Sequence, residues 1–469
     1  MSSPAHLIEQ LSAIAGPGGV LTAPSDIEPY LADWRKRLRG NALCVVMPRD
    51  TAQVSAIVAA CSAANVPMVP QGGNTGLCGG ATPDASGHSV VINLKRMNRV
   101  RAIDTDNNTM TVEAGCILQE LQRVAEEAGR LFPLSLAAEG SCQIGGNLST
   151  NAGGVHVLRY GNTRELTLGL EVVLAGGQVW DGLRGLRKDN TGYDLKQLFI
   201  GGEGTLGIIT AAVLKLFPLP KVHAVAWLGV ASPEDAVAIL SAAQDAFGTR
   251  LTAFEFISDL PLSFVLSHIP GSQRPMQEPF AWHVLMELSD SEEAVHERLT
   301  GFLAAQVEAG RMGDGVVAQS AQQAKRLWSL REHVPEALTR EGYSIKHDIS
   351  VPVSRIPEFL RRGRERLESA VPGLRLTPFG HLGDGNLHYN ISRPLNATDE
   401  AFAAQTGRIN ALVHDLVHEL GGSISAEHGL GTVKREEARR YKSAVEMEMM
   451  QAIKRTLDPR NLMNPGKVV

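Results

Sequence analysis

Two histidines, His381 and His388, stand seven residues apart on either side of a Gly383-Asp384-Gly385 turn in GHLGDGNLHYN (380–390). In a strand leaving that turn, side chains alternate faces, so His388 and Asn390 point one way and the turn folds His381 back towards them. Two imidazoles and one carboxylate can bind a divalent ion and still leave positions open for a substrate. Glu427, in SAEHGLG, can supply the carboxylate. Such nitrogen and oxygen ligands suit Zn, Mn, Fe or Co better than Mg or Ca. By residue type alone, two buried and hydrogen-bonded histidines remain the plainer reading. His414 and His418 in HDLVHEL are a competing pair, since residues four apart share a helix face. The glutamate of an H-E-x-x-H zinc motif is missing, because Asp415 follows His414. That segment is expected to be an amphipathic helix with Leu412, Leu416 and Val417 inward and both histidines at the surface.

Groups like these need a scaffold, and periodicity points to one early in the chain. Residues 44–70, CVVMPRDTAQVSAIVAACSAANVPMVP, predict a strand, a helix capped by Asp50 or Thr51 with Val54, Ile57, Val58 and Cys61 on one face, and a second strand. This unit delivers backbone to PQGGNTGL (70–77), where successive small residues expose consecutive N–H groups. Such a nest can hold a diphosphate without a lysine. Gly72, Gly73 and Gly76 allow close approach, and Asn74 and Thr75 add donors; a pair of tight turns is the alternative. Glycine is dense again in GSCQIGGNLSTNAGG (140–154) and FIGGEGTLGIIT (199–210). The latter holds Gly202-x-Gly204-x-x-Gly207, the spacing of a dinucleotide fingerprint. That fingerprint needs a helix N-terminus, whereas Ile208, Ile209, Thr210 and Val213 predict a strand. No G-x-x-x-x-G-K-[ST] loop occurs, which argues against NTP hydrolysis. Beyond LKLFPLPK (214–221) glycine thins and helix-length segments alternate with strands, so a domain boundary is expected near Pro218.

The 469 residues are enough for several cores. With 45 basic and 50 acidic residues the formal charge is -5, which offers no global attraction to nucleic acid or to an anionic membrane. RRGRER (361–366) is expected to be a solvated helix face. No apolar run approaches the ~18 residues of a membrane span, and MSSPAHLIEQ lacks the order of a secretory signal, so a cytoplasmic protein is expected. The five cysteines, Cys44, Cys61, Cys78, Cys116 and Cys142, form no C-x-x-C pair and are expected to be buried thiols.

VPQGGNTGL, IGGNLSTNAGG, LRKDNTGYDLKQLFIGGEGTLGIIT, GHLGDGNLH and SAEHGLGTVK occur in this order. Together they make the chain resemble, from about residue 28 onward, the FAD-linked 2-hydroxyacid dehydrogenases, a group related to vanillyl-alcohol oxidase. The resemblance implies an α+β fold: an FAD-binding domain of two α+β subdomains (1–217), a substrate-cap domain with an antiparallel sheet (218–420), and a C-terminal helical segment returning to the flavin site (421–469). By matching motif, Pro70, Gly72, Gly73, Asn74, Thr75, Gly76 and Leu77 would hold the FAD pyrophosphate. Gly145, Gly146, Asn147, Ser149, Asn151 and Gly153 would line the flavin, with Gly204, Gly207, Ile209 and Asn464 completing the pocket. Some relatives tether FAD through a histidine after the paired glycines; Asn74 stands there, so non-covalent FAD is expected.

The resemblance also strengthens the metal reading of His381, His388 and Glu427, with Zn the expected ion, and makes His428 the catalytic base. Oxidising a 2-hydroxy acid removes a hydroxyl proton while a hydride leaves the same carbon for the flavin. A metal acidifies the alcohol, and an imidazole of ordinary pKa, about 6.5, can take the proton. Arg331 and Lys346, in SLREHVPEALTREGYSIKHDISVPV (329–353), match substrate-binding positions, as does Asn390; taken singly, either cation also suits a surface ion pair. Ser344, Lys346 and Asp348 alternate with Ile345, His347 and Ile349, which predicts a strand facing the site. Where 2-hydroxyglutarate enzymes carry a hydroxyl residue four positions after the arginine, this chain has Pro335. The favoured substrate is D-2-hydroxyglutarate, with D-lactate or glycolate next. Electrons are expected to pass to an electron-transfer flavoprotein or a quinone, and a homodimer is the assembly considered. Two other classes stay open: a non-redox flavin transferase like alkylglycerone-phosphate synthase, and a non-catalytic electron-relay subunit.

Overall fold

The computed structural model describes residues 4–469. These form two compact units: one of residues up to 153, 161–219 and 427–469, the other of 154–160 and 220–426. Both mix helix and sheet.

The first unit begins with a four-stranded sheet of Val20–Leu21 (β1), Cys44–Val46 (β2), Met68–Gln71 (β3) and Val90–Asn93 (β4), in the order β1-β2-β4-β3. β2, β4 and β3 run parallel, so β2 and β3 need a crossover, which the helix Thr51–Ala64 provides. Asp50 caps that helix by accepting the Gln53 N–H, and Asn65 ends it in the left-handed region. Its Val54, Ile57, Val58 and Cys61 are buried with Leu7 and Leu11 of the first helix, Pro4–Ala15. A second sheet holds Val100–Asp104 (β5), Thr109–Glu113 (β6), Thr167–Val173 (β8), Val179–Gly182 (β9) and Ile208–Lys215 (β10), antiparallel throughout in the order β5-β6-β10-β8-β9. Arg130–Leu131 (β7) and Phe217–Pro218 (β11) make a separate short pair. The strand expected after Gly207 is β10, and it excludes a dinucleotide-binding helix there.

The second unit is built on one eight-stranded antiparallel sheet: Val222–Val230 (β12), Leu251–Ser258 (β13), Trp282–Asp290 (β14), Asp314–Val317 (β15), Ser344–Ile345 (β16), Asp348–Ser350 (β17), Arg375–His381 (β18) and Asn386–Ser392 (β19). The order is β15-β12-β14-β13-β18-β19-β16, with β17 also on β19. β13 is buried along its whole length, which suits LTAFEFIS except for its one charged residue, Glu255. Two expectations need correction here. His414 is buried, its ring edge-on to His347 at 5.4 Å, while His418 alone of that pair is exposed. The strand expected through Lys346 is broken into β16 and β17, because His347 turns inward to bond Tyr389 O through Nδ1 (2.9 Å). RRGRER does lie on a helix, Ile356–Ala370, with its arginines paired to Glu358, Glu365, Glu368 and Glu419.

Candidate functional site

In the first unit residues of all three glycine loops line one cavity. The β3–β4 pairing starts its construction. Asn93, at the end of β4, donates its amide to Gln71 Oε1 (3.2 Å) and Gly72 O (3.0 Å), and so fixes the mouth of the first loop. Asn74, in the left-handed region, gives its amide to Ala32 O (2.7 Å). Gly73 has no room for a side chain, since a Cβ would run into the Ser141 carbonyl of the second loop. At Gly76 and Gly146 a Cβ would meet no atom within 4 Å. Both positions thus border open space. Gln143 Oε1, buried in the lining, has no hydrogen-bond partner among the described residues.

Of the residues expected to hold FAD, Pro70, Gly72 to Gly76, Gly145, Gly146, Asn147, Ser149, Gly204, Gly207 and Ile209 line this cavity; Leu77, Asn151, Gly153 and Asn464 do not. Asn464 instead donates its amide to Gly80 O (2.9 Å) and Glu203 O (2.8 Å), bracing two lining residues from behind. His428 is part of the wall. The backbone after it is fixed by Cys78 O, which accepts the Thr432 and Val433 N–H groups, and by Glu203.

In the second unit, register decides which side chains meet. Glu255 pairs with His381 across β13–β18, His381 with Asn386 and Phe379 with His388 across β18–β19, and Asp348 with His388 across β17–β19. Directly paired residues share a face, and so do residues two apart in one strand. Glu255, His381, His388, Asn390 and Asp348 therefore lie on one side of the sheet. The His381 and His388 rings stand edge to face, 5.6 Å apart. Glu255, fully buried, contacts His381 Nδ1 at 2.7 Å through Oε1 and Arg331 Nε at 2.7 Å through Oε2. Burial alone would raise this carboxyl, but His381 and Arg331 outweigh it and hold Glu255 below the usual carboxylate range. The Arg331 guanidinium also sits over the Phe379 ring, 4.8 Å from its centre. Asn390 Oδ1 is buried without a hydrogen-bond partner among the described residues. Lys346 is half-buried at the break between β16 and β17. The chain leaves this unit at Ala426, whose N–H bonds Asp348 O (3.3 Å), and Glu427 is the next residue.

Residues 42–182 match the model of an FAD binding domain, and residues 219–468 that of the FAD linked oxidases, C-terminal domain. The chain belongs to the FAD-linked oxidase family. This FAD-linked oxidase is 40% identical over 456 residues to the mitochondrial D-2-hydroxyglutarate dehydrogenase of Bos taurus, covering 97% of this chain and 81% of that protein. It is also 40% identical over 448 residues to the D-2-hydroxyglutarate dehydrogenase of Xanthomonas citri pv. viticola, covering 95% and 93%. In fold it is similar to p-cresol methylhydroxylase, with a TM-score of 0.77 and 19% identity over 99% of this chain and 96% of that one. The resemblance to FAD-linked 2-hydroxyacid dehydrogenases is thus borne out, and the chain is an FAD-dependent dehydrogenase of that group.

The family's cofactor suits what the first unit offers: the nest of small residues and the unpartnered Gln143 Oε1 are an acceptor-and-donor lining for a dinucleotide. Sequence reasoning on this FAD-linked oxidase passed over Gln71, Gln143, Glu203 and Glu255. Glu255 left a readable trace, a single charge inside an apolar strand, which is rare unless the charge is paired. Glu203 stands among the glycines of GGEGTLG, where nothing local marks what its side chain meets more than 200 residues away. No helix among the described residues is long and apolar enough to cross a membrane.

Proposed function

We propose that this enzyme oxidises a D-2-hydroxy acid, D-2-hydroxyglutarate, to the 2-oxo acid. The observation that carries the reading is His428 standing in the wall of the cavity that the glycine loops form. When bound, FAD supplies the hydride acceptor and a divalent ion, Zn, a Lewis acid for the substrate hydroxyl. His381, His388 and Glu427 would hold the ion. Glu255 on Nδ1 of His381 supports this, because a carboxylate there turns Nε2 outward as a ligand nitrogen. His428 takes the hydroxyl proton as the carbon–hydrogen bond breaks. Arg331, with Nε engaged by Glu255, presents its Nη edge for two parallel bonds to a carboxylate, and Asn390 adds a polar contact. Pro335 opens the helix Val334–Glu341 and has no side-chain donor, so the second carboxylate of the substrate falls to Lys346.

FAD is bound non-covalently in this reading, since Asn74 stands where a tethering histidine would. The electrons pass to a flavoprotein or quinone acceptor, which fits the absence of a dinucleotide fingerprint leading into a helix. A cytoplasmic location accords with five cysteines in no disulfide. The test is anaerobic mixing of the FAD-loaded enzyme with D-2-hydroxyglutarate, D-lactate and glycolate while the flavin absorbance is followed. D-2-hydroxyglutarate should bleach it fastest. His428→Ala should retain FAD and lose nearly all bleaching; reduction at the wild-type rate would eliminate the base role. Metal analysis should find about one ion per chain, and EDTA should abolish turnover. Full activity in a metal-free sample would make the histidines structural.

A further inference from the structure

Glu203 is a buried carboxylate with no place in the chemistry described so far. Its Oε1 accepts the Leu430 N–H at 2.7 Å and its Oε2 the Gly431 N–H at 2.8 Å. Both oxygens act as acceptors at once, the pattern of an ionised carboxylate rather than of an acid. Burial pushes this carboxyl above the usual range, while the two N–H groups and the charges of Lys467 and Lys434 pull the other way. Lys467 is itself buried, with Nζ donating to Thr82 O (2.8 Å) and Thr432 Oγ1 (2.6 Å), so a cation braces the same loop. The backbone of Glu203 is also unusual, with φ at +50°, a region costly for a residue with a side chain. Strain of this kind persists only where surroundings enforce it. Here the Glu203 N–H donates to Ser149 O (2.8 Å) and its carbonyl accepts from Asn464 (2.8 Å).

The receiving loop is shaped around that carboxylate. Gly429 and Gly431 both have positive φ. A Cβ at Gly429 would lie 2.7 Å from Glu203 Oε1, and one at Gly431 would run into Cys78 O. Cys78 O fixes the far end of the loop through Thr432 and Val433, and Glu203 fixes the end next to His428.

We propose that Glu203 is a positioning residue for His428: by holding the Leu430 and Gly431 N–H groups, two and three residues after the histidine, its carboxylate sets where the imidazole stands in the cavity wall. This rests on the reading of His428 as the base. The backbone bonds of Glu203 do not involve its side chain, so the cavity survives loss of the carboxylate. In Glu203→Gln one oxygen becomes an NH₂ that faces an N–H donor, and one of the two bonds is lost.

The FAD-loaded E203Q enzyme should keep its flavin, while hydrogen exchange measured by mass spectrometry should show lost protection in a peptide spanning 428–433. The maximal rate of anaerobic flavin reduction should fall by about 100-fold, the effect of displacing a reacting group by roughly 1 Å, with KM little changed. Wild-type reduction in E203Q would overturn the proposal, as would a wild-type 428–433 peptide already unprotected. An E203Q chain that cannot fold or hold FAD would also overturn it, since the residue would then be structural. His428→Ala, run in parallel, separates the two claims: normal reduction there sinks the base reading, whereas an inactive H428A beside a fully active E203Q sinks only the role of Glu203.

Discussion

Glu255 illustrates how one side chain can fix two others. Its Oε1 meets His381 Nδ1 and its Oε2 meets Arg331 Nε, and all three residues are buried. Removing Glu255 deprives a buried guanidinium of the carboxylate on its Nε, and breaking a buried pair in this way typically destabilises a fold by about 3–5 kcal/mol. Glu255→Ala should therefore lower the denaturant midpoint of the second unit selectively. Trp34 and Trp180 lie in the first unit and Trp227, Trp282 and Trp328 in the second, so whole-chain fluorescence would mix the two; hydrogen exchange of peptides from 220–426 reports on the second unit, while FAD retention reports on the first. The milder Glu255→Gln should keep the fold and weaken binding of the proposed ion by about 10- to 100-fold, the usual effect of losing a carboxylate behind a ligating histidine. Ion affinity equal to wild type in that variant would separate Glu255 from metal binding.

At the scale of elements, the β18–β19 hairpin does the positioning, and its turn is the vulnerable part. Gly385 has a φ of +84°, and a Cβ there would collide with the Val351 carbonyl. Gly385→Ala should cost about 1–2 kcal/mol from the left-handed conformation alone and more from the collision. Since the turn sets the register, His381 and His388 should lose their alignment together. Loss of bound metal with normal FAD content is the expected result; unaltered metal content would show that the register is set elsewhere. This hairpin was legible in the sequence because the Gly-Asp-Gly turn and the alternation of NLHYN are local signals, as were the β2–helix–β3 unit and the three glycine loops. The rest was not local. Glu255 meets Arg331 and His381 from distant parts of the chain. His414 looked like a surface residue because its helix shows the ordinary apolar stripe, and only packing against His347 buries it. The break at Lys346 has the same origin, a turned-in His347 bonded to the neighbouring strand.

Taken over the whole molecule, the cysteines record where the chain is closed and where a ligand closes it. All five lie in the first unit and none is in a disulfide. Burial pushes Cys44, Cys61 and Cys116 up to about 12, so at neutral pH they are almost wholly thiols and poor nucleophiles. Cys78 and Cys142 differ in one respect: they line the cavity. Each is under a tenth exposed by the protein alone, so bound FAD would complete their shielding, and removing it would open a path for a small reagent. Iodoacetamide should accordingly label none of the five in the FAD-loaded enzyme, Cys78 and Cys142 in the stripped protein, and all five after denaturation. Peptide mapping assigns the sites. Equal labelling of Cys78 and Cys142 with and without FAD would mean that the cofactor does not cover that wall. Early labelling of Cys44 or Cys61 on stripping would mean that the first unit needs its cofactor to stay folded, since those thiols are reached only by unpacking the helix Thr51–Ala64 from its sheet.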